Sequence, residues 1–331
     1  MKTVVTGGAG FIGSHLAKAL LDRGREVVIA DDFSRGNKLN LLDLGIQTEC
    51  LEIDLRNFAQ ALKVTRGAET VFHMAARVGS LDWLHGSEAN ELEALQTNLV
   101  IDANVFRACI ENRVKKIIYA SSVSVYPIYL QDRPNIVFSE DALQITDTVR
   151  GTIDPEGGYG WAKFLGEIQL SWMTDIEVGV ARIFNTYGEN GALGKSAHVI
   201  PALIQRAIRY PKEEFIVWGD GKQSRDFLYV SDCVDLLLRL EEKASSPPIV
   251  VNTSSDQAIA ISSLAEKIVE LSGKDMEINY DPSKPVGPIS RTADVTKARN
   301  LLGWKAEVDL EKGLRRTYAW LEKRLQNEGN I

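Results

Sequence analysis

Tyr159 and Lys163 stand four residues apart in the stretch GGYGWAKFLGE. On a helix, positions i and i+4 share a face, so a phenol and an ammonium converge on one spot. A free phenol titrates near about 10, and service as a base near neutral pH requires roughly three units of depression, about 4 kcal/mol of preference for the phenolate. A neighbouring ammonium supplies a field of the right sign. Spacing alone also describes an ordinary exposed helix face, and the chain holds a second pair at the same interval, Tyr280 and Lys284. There Pro282 lies between the two and breaks a helix. The Tyr159 pair instead opens WAKFLGEIQLSWM, free of proline and apolar at helical intervals.

The pair gains meaning from TGGAGFIGSHL at residues 6–16. Residues 8–13 match GxGxxG, and Gly7, Gly10 and Gly13 form the wider GxxGxxG. Such a backbone turns sharply and approaches a pyrophosphate without a Cβ, while the helix opening at Phe11 and Ile12 offers free N–H groups and a partial positive charge. The turn follows a strand and opens a helix, and Asp31 comes 18 residues after Gly13, where a carboxylate accepts from a ribose hydroxyl. A carboxylate there repels a 2′-phosphate, so NAD is expected over NADP, with Arg35 nearby pulling the other way. Asp54 and Leu55, after the third strand, are placed to meet the adenine. Met74, Ala75 and Ala76, after the fourth, let the dinucleotide lie against the backbone. A bound, oxidised nicotinamide ring would add to the positive field on Tyr159.

The elements that must position these groups alternate. Strand-like runs at 2–6, 26–32, 48–55, 70–76, 115–122 and 178–185 are separated by amphipathic helices, among them FIGSHLAKALLDRG, closed by Gly24, and NELEALQTNLVIDANVFRACIENR. That rhythm predicts an α/β fold, a Rossmann-like doubly wound parallel sheet with active residues at the strand ends. After 185 the rhythm changes. FIVWGDGKQSRDFLYV reads as two short strands around a Gly-Asp-Gly turn, VSDCVDLLLRLEEKA as a helix starting at Ser231 or Asp232, and residues 248–255 as a last strand of the main sheet. Helices follow near 261–273, 294–302 and 310–326. The expected division is an NAD-binding domain, 1–185 plus about 231–254, and a smaller interrupted α/β lobe, 186–230 plus about 255–331, which binds the substrate across a cleft. The aperiodic stretch 127–158 is long for a loop and is expected to form a lid or wall over the substrate.

Composition narrows the classes. The 331 residues are 44% apolar and 25% charged, with a net charge of −7 and a pI near 5.3. That balance is ordinary for a globular protein and argues against a nucleic-acid footprint. Cys50, Cys109 and Cys233 are odd in number and scattered, which fits core or neutral positions in a reducing compartment and gives no metal site. No apolar run reaches the length that spans a bilayer, and MKTVVTGGAG reads as a first strand and not a signal peptide, so no membrane contact and a cytoplasmic location are expected.

Together with the glycine turn and YGWAK, the segments VFHMAA, Asn98 in the long helix, YASSVSVY, RIFNTYG, WGDGKQSRDFLYVSD and RTADVTKARNLLGW carry a resemblance over essentially the whole chain. It resembles the extended short-chain dehydrogenase/reductase family, in its nucleotide-sugar epimerase/dehydratase group. The resemblance implies that Ser122 hydrogen-bonds the sugar hydroxyl being oxidised, that Tyr159 takes its proton, and that Lys163 binds the nicotinamide ribose. It assigns Asn98 and Ser121 to the cofactor, Asn185, Arg225 and Arg291 to the diphosphate, and Ser80, Ser124, His198, Val199 and Trp218 to the rest of the nucleotide sugar. A guanidinium suits that diphosphate because its fork matches two phosphate oxygens. The helices at 91–112 and 159–173 resemble the family's dimer-forming pair, so a homodimer is expected.

Departures from the group's patterns matter. Members that eliminate water carry an acidic pair or a Glu just after Ser122, where this chain has Val123 and Ser124. Members that epimerise at carbons 3 and 5, such as GDP-mannose 3,5-epimerase and GDP-fucose synthase, carry a Cys where this chain has Ser124, and a serine hydroxyl is a poor group for carbon deprotonation. His198, in SAHVIPALI, looks like the fucose synthase histidine. The leading expectation is an NAD-dependent epimerase inverting C4 through a 4-keto sugar, as in UDP-glucose 4-epimerase. Beside it stand a GDP-sugar 3,5-epimerase or 4-keto reductase and, from another class, a dinucleotide-sensing regulator without catalysis.

Overall fold

The computed structural model describes residues 2–79, 86–131, 133, 135–143 and 153–327. The first half runs β1 (Lys2–Thr6), α1 (Phe11–Asp22), β2 (Glu26–Asp31), α2 (Lys38–Asp43), β3 (Glu49–Glu52), α3 (Phe58–Thr65), β4 (Thr70–His73), α4 (Glu88–Glu111) and β5 (Lys116–Ser122). It continues through α5 (Ile128–Gln131), β6 (Val137–Phe138), α6 (Gly157–Ser171), β7 (Glu177–Ile183), β8 (Asn185–Tyr187), α7 (Val199–Arg209), β9 (Ile216–Trp218), β10 (Ser224–Tyr229) and α8 (Val230–Lys243). The chain closes with β11 (Ile249–Thr253), β12 (Ala258–Ala260), α9 (Ile261–Ser272), β13 (Asn279–Asp281), β14 (Ser290–Ala293), α10 (Thr296–Leu302) and α11 (Leu310–Asn327).

Seven parallel strands form the main sheet in the order β3-β2-β1-β4-β5-β7-β11. Covered on both faces, its central strands read as unbroken apolar runs such as Val4-Val5 and Ile117-Ile118, all fully buried. On one face lie Leu16 and Leu20 of α1, Leu236 and Leu237 of α8, and Ala298 of α10. The other face carries Ala61 and Val64 of α3, Val105 and Cys109 of α4, and Leu170 of α6. The strand order reverses between β1 and β4, the place where such sheets open a crevice at their carboxyl ends. Thr6, Ser122 and the turn after His73 all end there. The strand expected to return to the main sheet does so as β11, on its edge beside β7.

Two smaller sheets hold the remaining strands. One has the order β12-β10-β14-β6, with β8 also on β10, and the other pairs β13 with β9. The strands flanking Gly219-Asp220-Gly221 therefore part company and make no hairpin. Both glycines have positive φ, and side chains of the 280–286 segment press on the turn: a Cβ on Gly221 would come within 2.7 Å of the Tyr280 ring. The helix after β10 starts one residue earlier than expected, at Val230. The largest departure concerns 127–158, whose described residues build α5 and β6. Residues 137–138 pair with 292–293 of β14, so this stretch is stitched into the smaller sheet.

Candidate active site

The glycine turn has little room for anything else. Gly7 has a φ of +64°, and a Cβ on it would stand 2.8 Å from the Ala75 Cα, while a Cβ on Gly13 would overlap the Gly7 carbonyl oxygen. The missing side chains let α1 start hard against β1 and leave its first N–H groups facing the crevice. Asp31 closes β2 with its carboxylate already oriented: one oxygen accepts from the Ala9 amide and the other from the Phe33 amide, both at 2.9 Å. Burial raises this carboxyl, and the two amides oppose that. Ala75 donates its amide to the Thr6 hydroxyl at 3.2 Å, which holds the turn after β4 against β1.

Other residues expected on the cofactor side have different local duties. Asn98, fully buried on α4, accepts from the Arg77 amide at 2.7 Å and donates to the Arg77 carbonyl at 2.9 Å, so its amide fixes the chain leaving β4. The Asp54 carboxylate is clasped by Arg56, whose hydrogen bonds hold it below its ordinary range. Leu55 is buried among the α3 side chains. Phe11 and Ile12 pack their side chains into the apolar cluster of Ile200 and Leu314, which leaves only their backbone for a phosphate. Met74 and Ala76 are half-buried at the crevice, and Arg35 is exposed.

Ser122, Tyr159 and Lys163 converge. Ser122 is the last residue of β5, accepts from the Ser124 amide at 3.1 Å, and lies close enough to the Tyr159 phenol to counter the upward push of burial on it. Lys163, only 1% exposed, sets its ammonium 4.5 Å above the Tyr119 ring and 6.0 Å from the Tyr159 ring. That ammonium has no hydrogen-bond partner among the described residues. Ser121, the alternate residue on the strand, points the other way and donates to Glu167 at 2.5 Å, beside the buried Glu167–Arg182 pair.

A second layer lies beneath. Tyr119 donates to Asp102 at 2.5 Å, the other oxygen of Asp102 meets His73 Nε2 at 3.0 Å, and His73 Nδ1 lies 2.7 Å from the Thr6 hydroxyl. A Cβ on Gly166 would overlap the Tyr119 hydroxyl, so a glycine on α6 makes room for this network. Its charge matters to both active groups. Burial lowers Lys163, and Asp102 and Glu167 counter that. Burial pushes the Tyr159 phenol well above its usual value; Ser122 opposes this and Asp102 adds to it. The protein alone therefore does not depress the phenol as the spacing suggested, because removing it from water outweighs its polar contacts. Asp102 had a sequence signal: it is four residues after Asn98, on the same face of α4.

The arginines expected on the substrate side stand on the smaller sheet. Arg225 and Arg291 are direct neighbours on β10 and β14. Arg225, 8% exposed, donates to the Ser224 and Val286 carbonyls at 2.7 and 3.1 Å, and burial, together with Arg291, pulls it down to about 9. Arg291 donates to Gln131 at 2.9 Å and pairs with Glu156. Glu156, the residue before α6, also accepts from the Ser124 hydroxyl at 3.0 Å. Sequence reasoning missed it, since nothing in its spacing joins position 156 to position 291. Asn185, on β8, donates to the Asp226 carbonyl at 3.1 Å. Trp218 ends β9 with the Arg206 guanidinium 5.9 Å from its ring, and His198 and Val199 open α7. Ser80 lies outside the described residues.

Residues 3–253 match the NAD dependent epimerase/dehydratase family. The chain belongs to that family. It is 31% identical over 99% of its length to GDP-mannose 3,5-epimerase 1 of Oryza sativa subsp. japonica, of which it covers 83%. In structure it is similar to the UDP-glucose 4-epimerase of Thermotoga maritima, solved with UDP-glucose, at a TM-score of 0.86 and 28% identity, covering 98% of this chain and all of that one. The UDP-glucuronic acid 4-epimerase of Bacillus cereus, solved with UDP-glucuronic acid and NAD, matches at a TM-score of 0.84 and 27% identity, again over 98% and 100%.

NAD, the cofactor of this epimerase family, fits two independent features of the site. The cradle at Gly7 and Gly13 tolerates no Cβ, as close approach of a pyrophosphate requires. The buried Lys163 ammonium holds three donors without a partner among the described residues, which suits ribose hydroxyls.

Proposed function

We propose that this protein is an NAD-dependent nucleotide-sugar epimerase that inverts C4. The observation that carries the proposal is the Ser122–Tyr159–Lys163 convergence, with Val123 apolar and the Ser124 hydroxyl already directed at Glu156. NAD, when bound, takes and returns the hydride and adds positive charge beside the phenol. In the forward direction Ser122 hydrogen-bonds the C4 hydroxyl, and Tyr159, as phenolate, accepts its proton. Lys163 holds the ribose and favours the phenolate. Arg225 and Arg291 grip the diphosphate from one side, so the 4-keto sugar turns about its link to the phosphate while the nucleotide stays in place. Tyr159 then returns the proton to O4 of the inverted sugar.

Two features of assembly belong to the same reading. The smaller sheets and α7, α9 and α11 serve as the substrate lobe. Exposed Leu92, Val100 and Ile110 on α4, with Trp161 on α6, serve as a homodimer face.

A second reading, epimerisation at C3 and C5 of a GDP-sugar, draws support from the rice relative and from His198 at the start of α7. It requires a group that removes a carbon-bound proton, and Ser124 is a weak one. One experiment separates them: NMR of UDP-, dTDP- and GDP-hexoses incubated in heavy water with the purified protein and no added cofactor. Inversion at C4 without deuterium uptake is expected. Deuterium at C3 or C5 would favour the second reading, and no change in any sugar would sink both.

A further inference from the structure

We infer that Asp102 and Tyr119 are positioning residues for Lys163: the Tyr119 ring, polarised by its hydrogen bond to Asp102, seats the ammonium and leaves its N–H donors to ligands. The inference rests on the reading of Lys163 as the cation that holds a ribose and favours the Tyr159 phenolate. Asp102, Tyr119 and His73 are all fully buried. Tyr119 donates to one Asp102 oxygen at 2.5 Å, and His73 Nε2 lies 3.0 Å from the other. A carboxylate only accepts, so Nε2 carries the hydrogen. Burial keeps the imidazole neutral, and its bare Nδ1 accepts from the Thr6 hydroxyl at 2.7 Å. The Thr6 oxygen in turn accepts the Ala75 amide at 3.2 Å. Each hydrogen bond of the network thus has one direction, and the charge left in it is that of Asp102.

A fully buried carboxylate needs a cation or a proton. The titratable groups around Lys163 are Tyr159 and Glu167 on its own helix, Tyr119 on β5, Asp102 on α4 and His73 on β4. Glu167 is already answered by Arg182 on β7. Lys163 is thus the cation that Asp102 faces, and it helps hold that carboxyl below its ordinary range against burial. Yet no hydrogen bond joins the two: the ammonium lies 4.5 Å over the Tyr119 ring and has no partner among the described residues. A phenol that donates to a carboxylate gains electron density in its ring, and the more negative face draws a cation more strongly. Packing fixes this seat. Phe106, four residues after Asp102 on α4, meets Tyr119 edge to face with ring centroids 5.5 Å apart. A Cβ on Gly166, three residues after Lys163, would overlap the Tyr119 hydroxyl and stand 2.9 Å from an Asp102 oxygen. A direct ion pair would occupy ammonium donors, whereas the ring leaves all three available. Where Lys163 is replaced, a proton on Asp102 can be donated to the Tyr119 oxygen, so the network stays satisfied.

The test is titration of the Lys163 ammonium itself, followed by heteronuclear NMR of the purified protein labelled at the lysine Cε and Nζ atoms. Its signal is assigned by its loss in Lys163→Met. Asp102→Asn keeps the shape of the side chain and can still bond Tyr119 and His73. It should raise the ratio of uncharged amine to ammonium at a given pH about tenfold or more. Tyr119→Phe, which keeps the ring and removes the phenol, should move that ratio the same way by about threefold. An unchanged ratio in Asp102→Asn would overturn the inference and leave the network a purely structural one. So would a wild-type Lys163 that is already an uncharged amine near neutral pH. Should Asp102→Asn fail to fold, an unchanged ratio in Tyr119→Phe overturns it equally. No sugar enters the measurement, so its outcome is separate from that of C4 inversion.

Discussion

The molecule holds two largely buried cationic sites, and they are neutralised in opposite ways. Lys163 sits in the main sheet's shadow with no hydrogen bond to its ammonium among the described residues, its charge balanced at a distance by Asp102 and Glu167. Arg225 and Arg291 stand side by side on the smaller sheet with their forks engaged by backbone carbonyls, Gln131 and Glu156. A buried cation without hydrogen bonds costs stability and is retained where a ligand completes it. Hydrogen-bonded guanidiniums are already oriented, and a diphosphate relieves the repulsion between them. The first arrangement suits a cofactor that stays, the second a substrate that comes and goes.

Four substitutions test that contrast, from the largest effect to the smallest. Tyr159→Phe should lower the turnover of whichever sugar is accepted by about 10³-fold or more, in keeping with loss of a positioned acid–base group, while copurified NAD stays near wild-type content. A fully active variant would remove Tyr159 from the chemistry. Lys163→Met should cut both turnover and retained NAD by at least about tenfold, without lowering the melting temperature, because the variant no longer buries an ammonium. A lower melting temperature with full NAD content would show that Lys163 is structural. Arg225→Ala should weaken nucleotide-sugar binding about tenfold or more, as loss of a charged hydrogen-bonding group does, and leave NAD content unchanged; calorimetric titration reads both. Loss of NAD in this variant would break the division between the two sites.

The smallest effect concerns stability against pH. Asp226, next to Arg225, is fully buried, accepts from Ser254 and from the Ala293 amide, and is pushed up to about 7 by burial. Between about 4, where an unfolded Asp titrates, and 7, the folded chain keeps a proton that the unfolded chain has released. Its contribution to stability therefore falls as pH rises through that window. Asp226→Asn should raise the melting temperature by about 2–4 °C at pH 8 and lose that advantage near pH 4, measured by calorimetry. The same difference at both pH values would show that titration of Asp226 is not its source.

How much was legible depends on whether a group's partner is near it in sequence. The glycine turn, Asp31 and the Tyr159/Lys163 interval are local patterns, and each appears where its spacing puts it. Ser121 and Ser122 fall on opposite sides of β5, as strand alternation requires, and Ser124 follows in a 3-10 turn. The limits of local reading show at Asn98, whose amide holds the Arg77 backbone 21 positions away. They show again in residues 127–158, where a pairing of 137–138 with 292–293 has no local signature. With no nicotinamide beside it the Tyr159 phenol is pushed up by burial, a property of the packed whole that spacing does not carry.

By itself the sequence determined the alternation that builds a parallel sheet, the backbone turn that admits a pyrophosphate, and the helical interval that joins a phenol to an ammonium. These depend on chain geometry over a few residues, which residue type and spacing fix. Tertiary structure alone decided that Asp102 lies under Lys163, that Arg291 lies beside Arg225, and that Glu156 joins Arg291 to Ser124. Those contacts span 61, 66, 135 and 32 positions, and only the closing of sheets and helices over one another brings such distant charges within reach.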